Sequence, residues 1–135
     1  DISAKNIRFN PATSKTEFNL CLPDVVISAS IPLVGEHNVR NALAAAACCH
    51  AVGVSSTQIL KGLEIMKGVA GRMEMTAGLS GAKIFNDTYN ANPVSLEAGL
   101  KVLSEFDSPR WLVLGDMGEL GDQSEYFHKS AGKLA

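Results

Sequence analysis

The sequence predicts an α/β protein built of two parts. Strand-type residues fill most of the first 34 positions, two helix patterns follow, and strands alternate with helices from about Met73 onward. Such alternation is typical of a parallel or mixed sheet that helices cover. Residues 67–72 are rich in glycine and contain no run of core residues, which indicates a hinge or a domain boundary.

In the first part we expect three strands and a pair of helices. The strands are predicted at residues 3–9, 16–22 and 25–29. The first helix should run from about Asn38, a plausible N-cap, to Val52, because apolar residues recur there at helical spacing and Gly53 follows. Ser55 or Ser56 should cap the second helix, and the two helices should pack as a hairpin.

The second part should contain three more strands and two helices. The strands are predicted at residues 73–79, 82–86 and 111–114. One helix should run from Pro93 to Phe106, and the other should begin at about Asp122. Residues 111–114 are continuously apolar, as expected of a strand that is buried on both faces of a sheet.

Composition and charge exclude several classes of protein. The 135 residues carry a formal charge of −2 and their cationic side chains are scattered singly, which argues against a nucleic-acid-binding surface. Cys21, Cys48 and Cys49 lack CxxC spacing, so reduced thiols of a cytoplasmic protein fit better than a disulfide framework or a zinc ribbon. No apolar run approaches the roughly 20 residues that span a bilayer. Because the chain starts without Met and ends inside a helical pattern, we expect a piece of a longer protein.

Polar side chains crowd residues 86–93, where a predicted strand ends and a predicted helix begins. Open α/β sheets bind ligands at such positions. Asn92 can cap the helix, and a plain turn would explain that residue. It does not explain Asp87, Tyr89 and Asn90, so the residues alone leave a ligand site and a simple turn equally open.

Residues 35–41 form a second polar stretch, at the start of a predicted helix. If Asn38 is the cap, His37 and Asn41 are left as candidates for hydrogen bonds to a heterocycle. The simpler interpretation is a surface histidine beside a capping asparagine, and the residues alone favour it.

A third stretch, residues 115–122, places glycines between a predicted strand and a predicted helix. The spacing is GxxGxxG, and the carboxylates of Asp116, Glu119 and Asp122 would repel a pyrophosphate. These carboxylates could meet a substrate ammonium, or they could favour the positive end of the following helix, which is the commoner situation.

The remaining polar candidates lie outside these three stretches. Arg72 in the predicted hinge could reach a phosphate, although a solvated loop arginine is commoner. His128 and Glu125 lie on a helix face that the pattern predicts to be exposed, and we assign them no role.

Four stretches occur in the order and spacing that the Mur ligase family shows. They are GEHNVRNALAAAA at 35–47, GRME at 71–74, NDTYNANPVS at 86–95 and LGDMGELG at 114–121. From residue 35 onward the chain therefore resembles the Mur ligases, which are ATP-dependent amide ligases of bacterial cell-wall synthesis. The first 34 residues match loosely. The fourth stretch is most similar to the member that adds D-alanyl-D-alanine.

The resemblance implies a domain organisation and an activity. Residues 1–70 would be the C-terminal part of the central ATP-binding domain, and residues 71–135 the first half of a Rossmann-like C-terminal domain. The whole enzyme would use ATP and Mg²⁺ to turn the terminal carboxylate of UDP-N-acetylmuramoyl-tripeptide into an acyl phosphate, which the amine of D-Ala-D-Ala then attacks. The phosphate-binding loop and the Mg²⁺ ligands would lie upstream, so the piece alone should be inactive.

Carried over position by position, the resemblance also implies two sets of binding residues and no catalytic or metal-binding residue. The nucleotide-binding set is His37, Asn38, Asn41, Arg72 and Asp87. The substrate-binding set is Tyr89, Asn90, Asn92, Asp116 and Glu119. In the first set His37 and Asn38 would contact adenine, and Asn41 would support their turn. Arg72 would approach the phosphates, and Asp87 would bind the ribose hydroxyls.

Two alternative functions remain open at this point. The chain could belong to another Mur ligase or to a ligase like folylpolyglutamate synthase, or it could be a non-catalytic nucleotide-binding module that reuses the fold. The full-length ligase should be a monomer without nucleic-acid or membrane partners. The piece could self-associate, because an incomplete sheet leaves an unpaired edge.

Overall fold

The computed structural model describes residues 1–135, which divide into two compact units, Asp1–Gly68 and Val69–Ala135. Each unit combines strands with helices, so the α/β class predicted from the sequence is confirmed. None of the helices has both the length and the apolar character needed to cross a membrane.

The first unit is a three-stranded antiparallel sheet covered by two helices. Strands β1 (Ser3–Asn10), β2 (Lys15–Cys21) and β3 (Val26–Ile31) follow one another in the sheet, so β2 is central. The helices are α1 (Glu36–Ala51) and α2 (Ser56–Ile65). All five elements lie within a few residues of their predicted positions, because each has its own local signal in the sequence.

The core of the first unit follows the alternation of side chains along β2. Phe18 and Leu20 are buried, whereas Glu17 and Asn19, which alternate with them, are half-exposed. The helices cover these side chains with apolar stripes, whose buried members are Val39, Ala42, Ala46, Ile59 and Leu63. This packing fixes the start of α1, which carries three of the candidate residues.

One cap prediction is confirmed and another is wrong. Ser55 caps α2, and its side chain and that of Gln58 bond reciprocally to each other's backbone N–H. Helix α1 begins earlier than predicted, at Glu36, with Gly35 rather than Asn38 at the N-cap. Gly35 turns the chain into the helix with a φ of 96°, and its carbonyl accepts the Asn38 N–H at 3.1 Å. Asn38 therefore lies inside the first turn.

The second unit contains a short hairpin and two helices. Strands β4 (Glu74–Ala77) and β5 (Lys83–Asn86) pair antiparallel around a 3₁₀ turn, Leu79–Gly81. Helices α3 (Pro93–Ser104) and α4 (Ser124–Leu134) contact each other. The buried side chains of the unit include Met73, Val102, Met117 and Ala131.

Residues 111–114 do not form the buried strand that the sequence predicted. Trp111 is 84% exposed, Val113 is 96% exposed, and no strand pairs with the segment. An apolar run becomes a buried strand only where neighbouring strands take up its backbone N–H and C=O groups, and β4 and β5 pair with each other instead. The two sheets of the structure are both antiparallel, so the parallel or mixed sheet that the sequence predicted is not formed.

Candidate functional site

The candidate site of the second unit lies where β5 ends and α3 begins. In the hairpin Glu74 pairs with Asn86, so the next facing positions are Met73 and Asp87. There the strand ladder stops, and Asp87 Oδ1 accepts the Met73 N–H at 3.0 Å. The carboxylate takes the place of a backbone acceptor and joins the turn after β5 to the segment before β4.

That segment approaches the turn most closely at Gly71. The Gly71 carbonyl accepts the Tyr89 N–H at 3.0 Å, and a Cβ on Gly71 would lie 3.2 Å from the Tyr89 nitrogen. Gly71 has a φ of +72° and Met73 a φ of 48°, a left-handed conformation that is costly for residues with a Cβ. The close approach and the left-handed turn both favour glycine at position 71.

Arg72 stacks on an aromatic ring of the same turn. Its Cζ lies 4.2 Å from the ring centroid of Tyr89, which is 65% exposed. The stacking orients the guanidinium by cation–π attraction. This stacking uses the face of the guanidinium and none of its N–H donors. The N–H groups at the edge of the guanidinium can therefore bind an anion such as a phosphate.

Glu74 also holds this turn, although the sequence pattern indicated no role for it. Its Oε2 accepts the Gly71 N–H at 3.3 Å and the Asn86 Nδ2 at 3.4 Å. The sequence feature that could have indicated a role for Glu74 is its position in the GRME stretch, just after the predicted hinge. Two carboxylates, Glu74 and Asp87, thus fix the chain on both sides of Arg72.

The two candidate asparagines of the same loop both have structural partners. Asn92 caps α3 as predicted: its Oδ1 accepts the Ser95 N–H at 2.9 Å, and Ser95 Oγ accepts the Asn92 N–H at 3.0 Å. Asn90 is exposed, and its Oδ1 accepts the Ala91 N–H at 2.9 Å. Because the carbonyl oxygens are engaged, the NH₂ groups are what these side chains can offer a ligand.

His37, Asn38 and Asn41 lie at the start of α1 in the first unit. Asn38 is half-buried and donates from Nδ2 to the Val34 carbonyl at 2.9 Å. His37 is also half-buried, whereas Asn41, one turn further on, is exposed. The fully buried Val39 between them fixes the rotation of the helix. The asparagine amide at position 38 therefore has a set orientation.

Asp116 and Glu119 belong to a different loop of the second unit from Asp87, and both are exposed. Between them Met117 is 3% exposed, and its N–H donates to Nε2 of His128 at 3.0 Å. His128 is therefore half-buried, so the prediction of an exposed face was wrong for this residue, whereas Glu125 is exposed as predicted. The loop covers His128, which periodicity along α4 does not reveal.

These groups are suited to binding and orienting a polar ligand. The Asp87 carboxylate can accept hydroxyl groups, and the stacked Arg72 can donate to an anion. The chain contains no group of three or more His, Cys, Asp or Glu side chains that could hold a metal ion.

Comparison with known proteins gives matches along the whole chain. Residues 71–135 match the family model of the Mur ligase glutamate ligase domain. The UDP-N-acetylmuramoyl-tripeptide–D-alanyl-D-alanine ligase of Haemophilus influenzae is 41% identical over 133 residues, 98% of this chain and 29% of that protein. The chain therefore spans less than a third of the length of such relatives.

The solved structures that share its fold include two MurF ligases. MurF from Acinetobacter baumannii is 40% identical, with a TM-score of 0.91 over 100% of this chain and 29% of that chain. MurF ligase from Thermotoga maritima, in complex with ADP, is 24% identical, with a TM-score of 0.85 over 99% of this chain and 30% of that chain. The second similarity concerns the fold alone.

The close approach at Gly71 gives a testable prediction. Gly71→Ala should destabilise the second unit by roughly 2–3 kcal/mol, because it adds a steric conflict with the Tyr89 nitrogen to the left-handed strain. The matched control is Gly81→Ala: Gly81 has a φ of +81°, and a methyl group there would meet nothing within 4 Å, so about 1 kcal/mol is expected. Amide hydrogen exchange of Val102 measures both values. Equal losses would contradict the contact between Gly71 and Tyr89.

Proposed function

Since this chain belongs to the Mur ligase family, we propose that it is a segment of an ATP-dependent amide ligase that joins D-Ala-D-Ala to UDP-N-acetylmuramoyl-tripeptide. The identity with the Haemophilus influenzae ligase of that name carries the proposal, and the shared fold with MurF supports it. In this proposal residues 1–70 are the C-terminal part of the central ATP-binding domain, and residues 71–135 are the first half of the C-terminal domain.

In the second unit, Asp87 and Arg72 are the proposed nucleotide-binding residues. The Thermotoga maritima ligase of this fold was solved with ADP, and a nucleotide offers two features to these side chains. Ribose hydroxyls can donate to the Asp87 carboxylate, which has acceptor capacity beyond its bond to Met73. Phosphate oxygens can accept from the edge of Arg72, whose face is held on Tyr89.

In the first unit, the start of α1 is the proposed adenine-binding surface. Asn38 is oriented by its bond to Val34, and its carbonyl oxygen suits an exocyclic amino group. His37 offers a ring to the same heterocycle, and Asn41 supports the turn from the exposed side. An oriented amide loses little conformational entropy on binding.

The other proposed substrate residues belong to two loops of the second unit. The Tyr89 ring and the NH₂ groups of Asn90 and Asn92 would line the approach of the acyl phosphate and the dipeptide. The exposed carboxylates of Asp116 and Glu119 would attract the ammonium of D-Ala-D-Ala. The chain's own contribution to the reaction is therefore to bind and orient the two reactants.

Mg²⁺ is the metal proposed for the whole ligase. In this proposal the metal is bound by parts of the ligase outside the chain, and the 135 residues alone do not turn over ATP. The whole enzyme is proposed to act as a monomer in the cytoplasm, where its nucleotide substrates are made and its thiols stay reduced.

Substrate choice by the full-length protein tests the proposed reaction. With ATP, Mg²⁺ and UDP-N-acetylmuramoyl-tripeptide, phosphate release should require D-Ala-D-Ala and should not occur with D-Ala, L-lysine or L-glutamate. Coupled phosphate detection measures the rate, and mass spectrometry identifies the product. Turnover with a single amino acid would assign the chain to a different ligase, and the absence of turnover with every acceptor would indicate a non-catalytic module.

Asp87→Asn tests the nucleotide contact. Asparagine keeps an oxygen that can accept the Met73 N–H, so the turn should survive while the charged acceptor for the ribose is lost. The KM for ATP should rise about 10- to 100-fold, as expected for a hydrogen bond to a charged group, with KM for D-Ala-D-Ala nearly unchanged. The matched control is Asp107→Asn, an exposed carboxylate of the same unit. An unchanged KM for ATP would remove Asp87 from the binding set.

The exposed apolar segment at 111–114 should make the isolated chain self-associate. Pairing with a second copy would satisfy its backbone groups and bury Trp111 and Val113. Val113→Lys should shift the population to monomer, measured by sedimentation equilibrium. The control, Leu79→Lys, changes an apolar side chain that is 93% exposed but lies in the 3₁₀ turn, and it should leave self-association intact. If the unsubstituted chain is already monomeric, the predicted self-association is wrong.

A further inference from the structure

His128 makes three polar contacts that fix its ring, the weakest of them between Nδ1 and the Ser124 hydroxyl at 3.4 Å. Nε2 lies 3.0 Å from the backbone nitrogen of Met117, and Nδ1 lies 2.8 Å from the carbonyl oxygen of Ser124, one turn earlier on α4. The ring is half-buried. It belongs to neither proposed binding set, although it joins a helix to the loop of two proposed substrate residues.

The two backbone partners determine the state of the imidazole, since the Ser124 hydroxyl can either donate or accept. A backbone N–H only donates, so Nε2 must present its lone pair to Met117, and a carbonyl only accepts, so Nδ1 must carry the proton. A ring with both nitrogens protonated would set two N–H groups against each other at Met117. The Asp116 carboxylate, 4.0 Å from Nε2, is too distant for a hydrogen bond that would favour that state.

The loop has few other fixed points. Met117 is buried at its centre, whereas Asp116, Gly118 and Glu119 are exposed on either side. Glu119 also has a positive φ of 59°, a conformation that persists only where the surroundings hold it. The Met117 N–H is the backbone group by which α4 fixes the loop, and His128 is its acceptor.

We propose that His128, as the neutral Nδ1–H tautomer, is a positioning residue that holds the loop so that Asp116 and Glu119 face the incoming dipeptide. It acts through the Met117 backbone and touches no substrate itself. The assignment of the dipeptide rests on the proposed function, whereas the tautomer and the anchoring bond do not.

The anchoring bond is tested without any ligand, on the 135-residue chain at mildly alkaline pH. Imidazole ¹⁵N chemical shifts should show Nδ1 protonated and Nε2 bare, and the Met117 amide should exchange slowly with solvent. His128→Phe keeps a ring but removes the acceptor, so exchange at Met117 should quicken about 5- to 10-fold. His128→Gln offers a side-chain oxygen in place of Nε2 and should restore much of the protection.

The control is Lys129→Ala, the neighbouring exposed residue whose side chain pairs with Glu125, and it should leave the Met117 amide unchanged. Exchange at the buried Val102 reports whether the unit remains folded in each variant. An Nε2–H tautomer, or unchanged Met117 exchange in folded His128→Phe, would overturn the proposal.

The positioning role is tested in the full-length protein. His128→Phe should raise the KM for D-Ala-D-Ala about 5- to 10-fold and leave the KM for ATP within about twofold, and His128→Gln should lie between it and the unsubstituted enzyme. An equal rise in both KM values, or no rise for the dipeptide, would overturn the positioning role. If the unsubstituted protein does not use D-Ala-D-Ala at all, the proposed function fails, and the NMR result still decides the anchoring bond.

Discussion

The hydrogen bond from the Met73 N–H to the Asp87 carboxylate is the contact on which the candidate site of the second unit depends. It continues the β4–β5 register by one position, with a side chain in place of a backbone acceptor. The bond holds Met73 in a left-handed conformation and keeps Gly71 against Tyr89, which places Arg72 over the tyrosine ring. The Asp87 carboxylate thus helps to order the Arg72 guanidinium without pairing with it.

The sequence predicted those features of the fold that have local causes. Helix α2 was located because a serine at position 55 or 56 can cap it, and α3 because Asn92 and Pro93 mark its start. The segment at 111–114 was predicted wrongly for the opposite reason. Its apolar run describes a strand only when other strands flank it, and its own residues do not determine whether such neighbours exist.

The candidate site shows the same division. Asp87 and Tyr89 were singled out because polar and aromatic residues are crowded into a turn where a helix cap alone would suffice. Glu74 and His128 were missed because their importance lies in partners distant along the chain: Asn86 is 12 residues from Glu74, and Met117 is 11 from His128. The members of each pair lie on different elements, so periodicity along a single helix or strand does not mark them.

Most of the proposed binding groups are already oriented by bonds within their own unit. Arg72 is stacked, Asn38 and Asn92 are bonded to backbone groups, and Asp87 holds Met73. Asp116 and Glu119 differ, since their side chains are exposed and only their backbone is anchored. Rigid groups suit a ligand whose shape is constant, such as a nucleotide, because little entropy is lost on binding. Exposed carboxylates on an anchored loop suit a small ammonium, because attraction by charge tolerates many side-chain positions.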